Sequence, residues 1–506
     1  MSRLITAAGV LGRPDADSVV VSDGRVTAIG RAADLEEPGL EHLPRTPGVI
    51  LTGLRDAHIH PSGYAAAVTG LSLSGIRDFA DLRDRVVEAA LDLHPGIPVV
   101  GSRLDENDLL EGRLPTRWDL DGFLENRPIV LTRSCGHVAV ANSAALQRAG
   151  VGPDTADPPE GTIDRDARGR PTGVLRETAI ALVSGALAAD SPSPGPEKLL
   201  AAVSGLASLG ITGIDAIVSA GTAIWCGTES ELDDIIEIAP DLPIGLSVFV
   251  TAATPAELER SAERLRDAGV TWAGLKAFSD GSLGGHTAAL DAPYADHPST
   301  GTLRLEPLRD VALAEAALDM GGTVAIHAIG DRANAAVLDL FASLKGGWAD
   351  PARFRVEHAS VLSPELVARF ADLGVTASVQ PAFIASEVDW LARRLGAERT
   401  RWTYPLRSLD DAGVPLIAGS DSPVEDPNPW PAIAAAATNP ITPEESLGVE
   451  RALAIFGGRT PMVGDTADLI VVDQDPNTTE DLAATTVLTT YVGGASVTAP
   501  AFRWPT

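Results

Sequence analysis

At 506 residues, 45% of them apolar, the chain is long enough to bury one large core and a smaller one. Its formal charge of -30 sets up a field that repels nucleic acid and anionic membranes, so the expected partner is a small-molecule substrate, with self-association into a homodimer left open. Two cysteines, Cys135 and Cys226, are too few for a disulfide framework, and charges and prolines interrupt every apolar stretch, so a soluble, cytoplasmic protein is expected.

The chain opens with short strands: Val19-Val20-Val21 and Val26-Thr27-Ala28-Ile29 flank Asp23-Gly24, a strong hairpin signal. The same β character returns near the C-terminus in Ala467–Asp473 and Val487–Gly494, so both ends are expected to join in one small β domain, residues 1–50 with 457–506. Between them, over 51–456, β-rich runs alternate with amphipathic helical stretches, the pattern of a parallel β/α architecture. Eight strands are expected, the first ending near His60 and the others at Ile211–Val218, Ile244–Val250, Trp272–Phe278, Thr323–Ala328, Phe354–Ala359, Thr376–Gln380 and Pro415–Asp421. Helices are expected at Pro196–Leu209, Pro255–Ala268, Glu306–Met320, Arg332–Leu344 and Pro364–Leu373, giving a (β/α)8 TIM barrel. The stretch from His60 to Ile211 is too long for one helix. Strand-like Ile97–Arg103 and Pro128–Arg133 and helix-like Asn142–Arg148 mark an insert over about 70–195, with Ser191-Pro192-Ser193-Pro194-Gly195-Pro196 as its linker.

Barrels of this class carry their chemistry at the C-terminal ends of the strands. His58 and His60, in Asp56-Ala57-His58-Ile59-His60, project to the same side of a strand and can reach one cation. Lys276, His327, His358 and Asp421 stand at the ends of strands 4, 5, 6 and 8. Singly, His327 or His358 reads as a satisfied buried histidine and Asp421 as a helix cap; together with the His-x-His pair they point to a divalent metal centre. Lys276, one of three lysines with Lys198 and Lys345, cannot ligate as an ammonium. Desolvation and nearby cations would leave it a neutral amine able to add carbon dioxide, giving a carbamate that bridges two metals; the alternative is an ordinary lysine paired with Asp280 or another carboxylate. Cys135 reads as a small buried residue, His297 as a loop histidine, and His42 and His94 as incidental. The chain has no Gly-x-Ser-x-Gly elbow, and Gly281-Ser282-Leu283-Gly284-Gly285 lacks the ending of a phosphate-binding loop.

An ordered series of motifs runs through most of the chain: Pro47-Gly48, Asp56-Ala57-His58-Ile59-His60, Gly112-Arg113-Leu114-Pro115-Thr116-Arg117, Gly136-His137 leading to Asn142-Ser143-Ala144-Ala145-Leu146, and Gly173-Val174-Leu175-Arg176-Glu177. Lys276-Ala277-Phe278-Ser279-Asp280-Gly281-Ser282-Leu283-Gly284, His327-Ala328-Ile329-Gly330-Asp331, Glu357-His358, Gly419-Ser420-Asp421-Ser422-Pro423 and Ala467–Asp473 complete it. With these motifs the chain resembles the amidohydrolase superfamily, in particular amidohydrolase family 3, the YtcJ-like branch related to N-substituted formamide deformylase. The resemblance implies a distorted barrel with a β-sandwich from both termini and a centre of one or two metal ions, most simply zinc. It implies His58 and His60 on one ion, His327 and His358 on the other, a carboxylated Lys276 as bridge, and Asp421 as metal contact and catalytic proton shuttle. It also implies substrate contact by His137, in its Gly-His pair, and by His286, which stands where relatives carry arginine in the Gly-Ser-Leu-Gly-x-Arg-Thr segment. The segment from Arg451 to Asp465, ahead of the terminal strands, is shorter than is usual for such relatives, which implies a different substrate range.

The expected activity is hydrolysis of a C–N bond in an amide, N-formyl or N-acyl compound by metal-activated water. Deamination of a heterocyclic amine on the same barrel is a second reading, opposed by Lys276 and by Ala328-Ile329-Gly330-Asp331 after His327. A non-catalytic scaffold that has lost its metal is a third, opposed by the intact ligand set.

Overall fold

Runs of β-branched and small residues alternate with helices and wind eight parallel strands into one sheet in sequential order. They are β1 (Leu54–Ile59), β2 (Ile211–Ser219), β3 (Gly245–Thr251), β4 (Thr271–Phe278), β5 (Thr323–Ala328), β6 (Phe354–His358), β7 (Thr376–Val379) and β8 (Leu416–Ala418). The computed structural model describes residues 2–91, 93–94, 96–124, 126–134, 136, 138–158, 161–187, 194–220, 230–344, 350–499 and 504. The helices on the outside begin and end where local chemistry dictates. The helix Pro255–Asp267 starts on Thr254, whose side chain accepts from the Glu257 N–H, and Pro364–Leu373 starts on Ser363 and stops at Gly374 in the left-handed conformation.

All eight expected strands are present, and the expected fold class, a TIM-like barrel with extra sheets from the termini and an insert, is what the chain adopts. Strand 8 is shorter than expected: it ends at Ala418, because Gly419-Ser420-Asp421 turn out of the sheet and Asp421 takes a φ of 56°. The sheet nearly closes through that turn. The Asp421 N–H donates to His58 O at 2.7 Å, the His60 N–H donates to Ser422 O at 2.9 Å, and Ile59 and Ser422 form a parallel bridge. Gly419 permits the approach: a Cβ there would lie 2.4 Å from the His58 nitrogen and 2.8 Å from Asp56 Oδ1.

The termini build two facing sheets. Arg3–Thr6, Ser18–Ser22, Arg25–Gly30 and Glu41–His42 form one; Gly9–Val10 and Val49–Thr52 join Leu469–Val472, Val487–Val492 and Ala495–Val497 in the other. Ile5, Val19 and Val21 of the first pack with Ile50, Leu469 and Val471 of the second in a common core. The hairpin turn has positive φ at both Asp23 (49°) and Gly24 (73°), as a two-residue connection between twisted strands requires.

The insert is a six-stranded sheet, larger than the two strands expected for it. Besides Val99–Leu104 and Ile129–Arg133 it holds Leu71–Ser72, Val138–Ala141, Gly161–Arg165 and Pro171–Glu177, with the expected helix at Ser143–Arg148 capped by Asn142. Residues 191–193 of the expected linker lie outside the described residues, and Gly195 and Pro196 already open the helix Gly195–Gly205.

The closure makes a paired test. Gly419→Ala is expected to cost about 3 kcal/mol by driving a methyl into the β1 backbone. Gly185→Ala, in the helix Ala179–Leu187 with nothing within 4 Å of a Cβ, is expected to be neutral or to stabilise by up to about 1 kcal/mol. Thermal unfolding midpoints separate the two, and equal midpoints would refute the steric account of the seam.

Candidate metal centre

Five of the six residues expected as ligands meet at the C-terminal mouth of the barrel. His58, on β1, donates from Nδ1 to Glu357 Oε2 at 2.6 Å, which fixes its tautomer and turns Nε2 toward the axis. His58 Nε2 lies 3.2 Å and His60 Nε2 lies 3.1 Å from the same oxygen, Asp421 Oδ1, and Lys276 Nζ approaches His58 Nε2 to 3.0 Å. The His358 ring lies 5.2 Å from that of His58 and stacks on Phe383 at 6.1 Å. Its Nδ1 is buried with no hydrogen-bond partner. One ligand atom each from His58, His358 and Asp421 falls within 4.8 Å of the others, and all three residues are buried. Two imidazoles and a carboxylate converging in a buried position, one of the imidazoles with an unpartnered nitrogen, are the donor chemistry of a divalent-metal site, so the residues fit such an ion.

His327 stands beside this cluster, its ring 4.4 Å from that of His358 in an edge-on arrangement. Its Nε2 is engaged by Gly281 O at 3.0 Å and Asp280 Oδ1 at 3.2 Å, so it is not one of the three residues whose ligand atoms converge. Asp280 in turn accepts from the Ile329, Gly330 and Ala289 N–H groups at 2.8–3.0 Å, fixing the loops after β4 and β5. Asp421 is no helix cap: its side chain faces the imidazoles. His286 lies in the long connection after β4, where its Nε2 meets Asp296 at 3.1 Å and its Nδ1 meets Arg394 at 3.0 Å. His137 and Cys135 lie outside the described residues, as do Cys226 and Lys345.

Electrostatics favour a neutral His358 and His60 and an ionised Asp421 and Glu357, whereas His58 is favoured in its charged form, whose Nε2 proton a bound cation would have to displace. Burial, with the His327 ring next to it, holds His358 well below the usual imidazole range, and burial lowers His60 against the pull of Asp421. Burial opposes ionisation of Asp421, but His58 and the bonds from His58 and His60 hold its carboxyl well below the ordinary range. Glu357 is likewise kept ionised against burial by Arg355 and then His58. For His58 burial and Lys276 push down, and Asp421 and Glu357 outweigh them.

Backbone geometry contributes as well. His358 and Ala359 have φ of 74° and 47°, rare for residues with a side chain, and these strained positions cluster with Asp421 at the site.

Several supporting residues escape sequence reasoning. Glu357 was legible only as the neighbour of His358. Arg355 binds it through Nε, and also binds Ala57 O and, at 2.9 Å, Asp215. Asp56 accepts from the His58 and Ser420 N–H groups and from Ser420 Oγ at 2.6 Å, and its complete burial pushes the carboxyl up to about 6 despite these donors. The signal for Asp56 was its place two residues before His58, on the same side of the strand. At the mouth, Glu177 ends an insert strand and holds the β4 connection, accepting from Thr287 Oγ1 at 2.5 Å and pairing with Arg304 at 2.8 Å.

The sequence model described as the amidohydrolase family matches residues 48–498. The chain is 30% identical over 439 residues to a putative amidohydrolase, YtcJ, of Bacillus subtilis, covering 82% of this chain and 78% of that protein. It is 28% identical to an N-substituted formamide deformylase of Arthrobacter pascens, covering 95% and 94% of the two chains. A crystal structure of an uncharacterized metal-dependent hydrolase from Pyrococcus horikoshii superposes with a TM-score of 0.72 at 26% identity, covering 95% of this chain and 99% of that one. Among the described residues no helix is long and apolar enough to cross a membrane.

Metal analysis tests the cluster. His358→Ala and Asp421→Ala are each expected to lower bound divalent metal per chain, read by plasma mass spectrometry after dialysis, by about tenfold or more. Glu357→Gln, which leaves every ligand in place, is expected to weaken metal retention against a competing chelator by about 10–100-fold. Undiminished metal in both ligand variants would remove the cluster as a metal site.

Proposed function

The chain belongs to the amidohydrolase family, and from that premise we propose that it is a metal-dependent hydrolase that cleaves the C–N bond of an amide, N-formyl or N-acyl compound. The observation that carries this reading is the convergence of His58, His358 and Asp421 within 4.8 Å at the mouth of the barrel. Imidazole and carboxylate donors suit zinc; His58 and His60 would hold one ion, His327 and His358 a second, with Lys276 between them as a carbamate and Asp421 in contact. When bound, a divalent ion lowers the pKa of water toward neutrality and polarises the substrate carbonyl.

The chain's own residues handle the rest. Asp421, ionised and fixed by two imidazoles, takes a proton from the attacking water and returns it to the nitrogen as the C–N bond breaks, releasing an amine and a carboxylic acid. Glu357 keeps His58 in the tautomer that presents Nε2. Phe383 against His358 and Phe278 against His327, whose rings are 5.7 Å apart, limit water around the cluster. Asp331, the acidic residue after His327, accepts from the Asp291 and Arg332 N–H groups at 2.9 Å as a structural cap, which disfavours the deaminase reading.

Lys276 is 2% exposed and beside His58 Nε2, where an ammonium would oppose a cation. Neutral, its nitrogen attacks carbon dioxide, the N–H proton leaves, and an anionic carbamate results.

Formate, acetate and amine release should be followed for a panel of N-formyl and N-acetyl amines. Chelation is expected to abolish turnover and zinc to restore it, while Asp421→Asn lowers kcat by about 10²–10⁴-fold. A chelated enzyme at full rate, or an unchanged Asp421→Asn, would sink the proposal. Lys276→Ala is expected to lose activity and to regain part of it with millimolar short-chain carboxylates; rescue by alkylamines instead would make the lysine an ordinary cation.

A further inference from the structure

β7 ends at Val379, and the next residue, Gln380, is a carboxamide only 1% exposed. Its Nε2 donates a long bond to Ser378 O at 3.4 Å, while Oε1 is buried with no hydrogen-bond partner. Rotating the amide by half a turn would set Oε1 against the Ser378 carbonyl, acceptor against acceptor, so the observed orientation is the favoured one. A buried carbonyl oxygen without a donor is costly wherever it occurs.

The register says where this oxygen sits. Ser378 pairs with Glu357 across the parallel sheet, and paired residues project to the same side. Glu357 points into the barrel, where it holds His58, so Ser378 does too, and Gln380, two residues on, faces inward one layer nearer the mouth. The Gln380 main-chain carbonyl accepts the Phe383 N–H at 3.1 Å, which lays the Phe383 ring on His358. On the other flank Val379 O accepts the N–H of Gly419 at 3.1 Å, two residues before Asp421. Gln380 therefore stands between the strand ends that supply His358 and Asp421.

We infer that Gln380 is a specificity-determining residue: its Oε1 accepts a hydrogen bond from the N–H of a secondary amide whose carbonyl meets the His58–His358–Asp421 cluster. The substrate class is thereby narrowed to N-monosubstituted amides and formamides, as opposed to N,N-disubstituted ones. The inference deepens the amide-hydrolase reading above and rests on it. The N–H held by Gln380 is not transferred. Water oxygen bonds to the carbonyl carbon, the C–N bond breaks, and the proton taken from water by Asp421 ends on the departing nitrogen, whose lone pair develops away from the held N–H.

Matched substrates test this: N-butylformamide against N-butyl-N-methylformamide, and N-butylacetamide against N-butyl-N-methylacetamide. The metal-loaded wild-type enzyme is expected to favour the N–H member of the pair it hydrolyses by about 100-fold in kcat/KM. Gln380→Leu, with metal content unchanged, is expected to reduce that preference about tenfold or more by slowing the N–H member while leaving the N-methyl member within about threefold. Gln380→Met gives the same readout if the leucine variant fails to fold. Equal slowing of both members in a metal-loaded variant would overturn the role of Gln380 and leave the hydrolase reading standing. A metal-loaded wild type that hydrolyses none of the four would overturn that reading and this inference with it.

Discussion

Two main-chain hydrogen bonds across the β1–β8 seam, from Asp421 to His58 and from His60 to Ser422, carry more of this structure than their number suggests. They bring the barrel close to closure, and the residues they join include His58, His60 and Asp421, whose side chains form the cluster. Closure and site assembly are therefore one event, since a β8 that does not reach β1 leaves Asp421 away from His58 and His60. The seam is narrow because Gly419 has no side chain, and Asp56 reinforces it by accepting from main-chain N–H groups on both sides, that of His58 on β1 and that of Ser420 in the turn after β8.

Below the cluster, charge replaces apolar filling along part of the barrel interior. Arg55 meets Asp215, Asp215 meets Arg355, Arg355 meets Glu357, and Glu357 meets His58. An alternating column of this kind is expensive to desolvate and is a weak source of stability, since well-packed apolar residues would serve as well. Its value is positional. Each member is held by the next, so the Glu357 carboxylate cannot swing away from His58 Nδ1, and the imidazole keeps one orientation and one tautomer. Arg55, with 43% of its side chain exposed, ends the column toward solvent, where the last charge is least costly.

The barrel and the six proposed ligands were legible because parallel strands buried on both faces are continuous β-branched runs, and because polar residues at the ends of such runs stand out. Other features lay below that signal. Val138–Ala141 is a run of Val and Ala, and Gly161–Arg165 and Pro171–Glu177 begin with the residues that ordinarily argue against a strand, so most of the insert sheet was hidden. The role of Glu357 was hidden for a different reason. Strict alternation sends neighbours to opposite faces, yet Glu357 and His358 both point inward, because the φ of 74° at His358 turns its ring back toward the axis. Periodicity cannot anticipate a left-handed residue that is not glycine.

Strain at the site and order around it belong together. Positive φ values at His358, Ala359 and Asp421 persist only where the surroundings over-determine them. Here the surroundings do so. Ala359 N–H is bound to Ala328 O, Val361 N–H to Ile329 O, and Asp280 holds the Ile329 and Gly330 N–H groups, so the turns after β5 and β6 are locked to each other. Glu177 then ties the insert to the β4 connection, and Arg394 ties that connection to the helix Leu391–Thr400 through the Leu283 and Gly284 carbonyls and His286. The strand ends thus fix the donors, and the loops fix one another above them. A centre held from both sides can keep buried groups such as His358 Nδ1 and Gln380 Oε1 without partners of their own, because no single side chain is free to relax toward them.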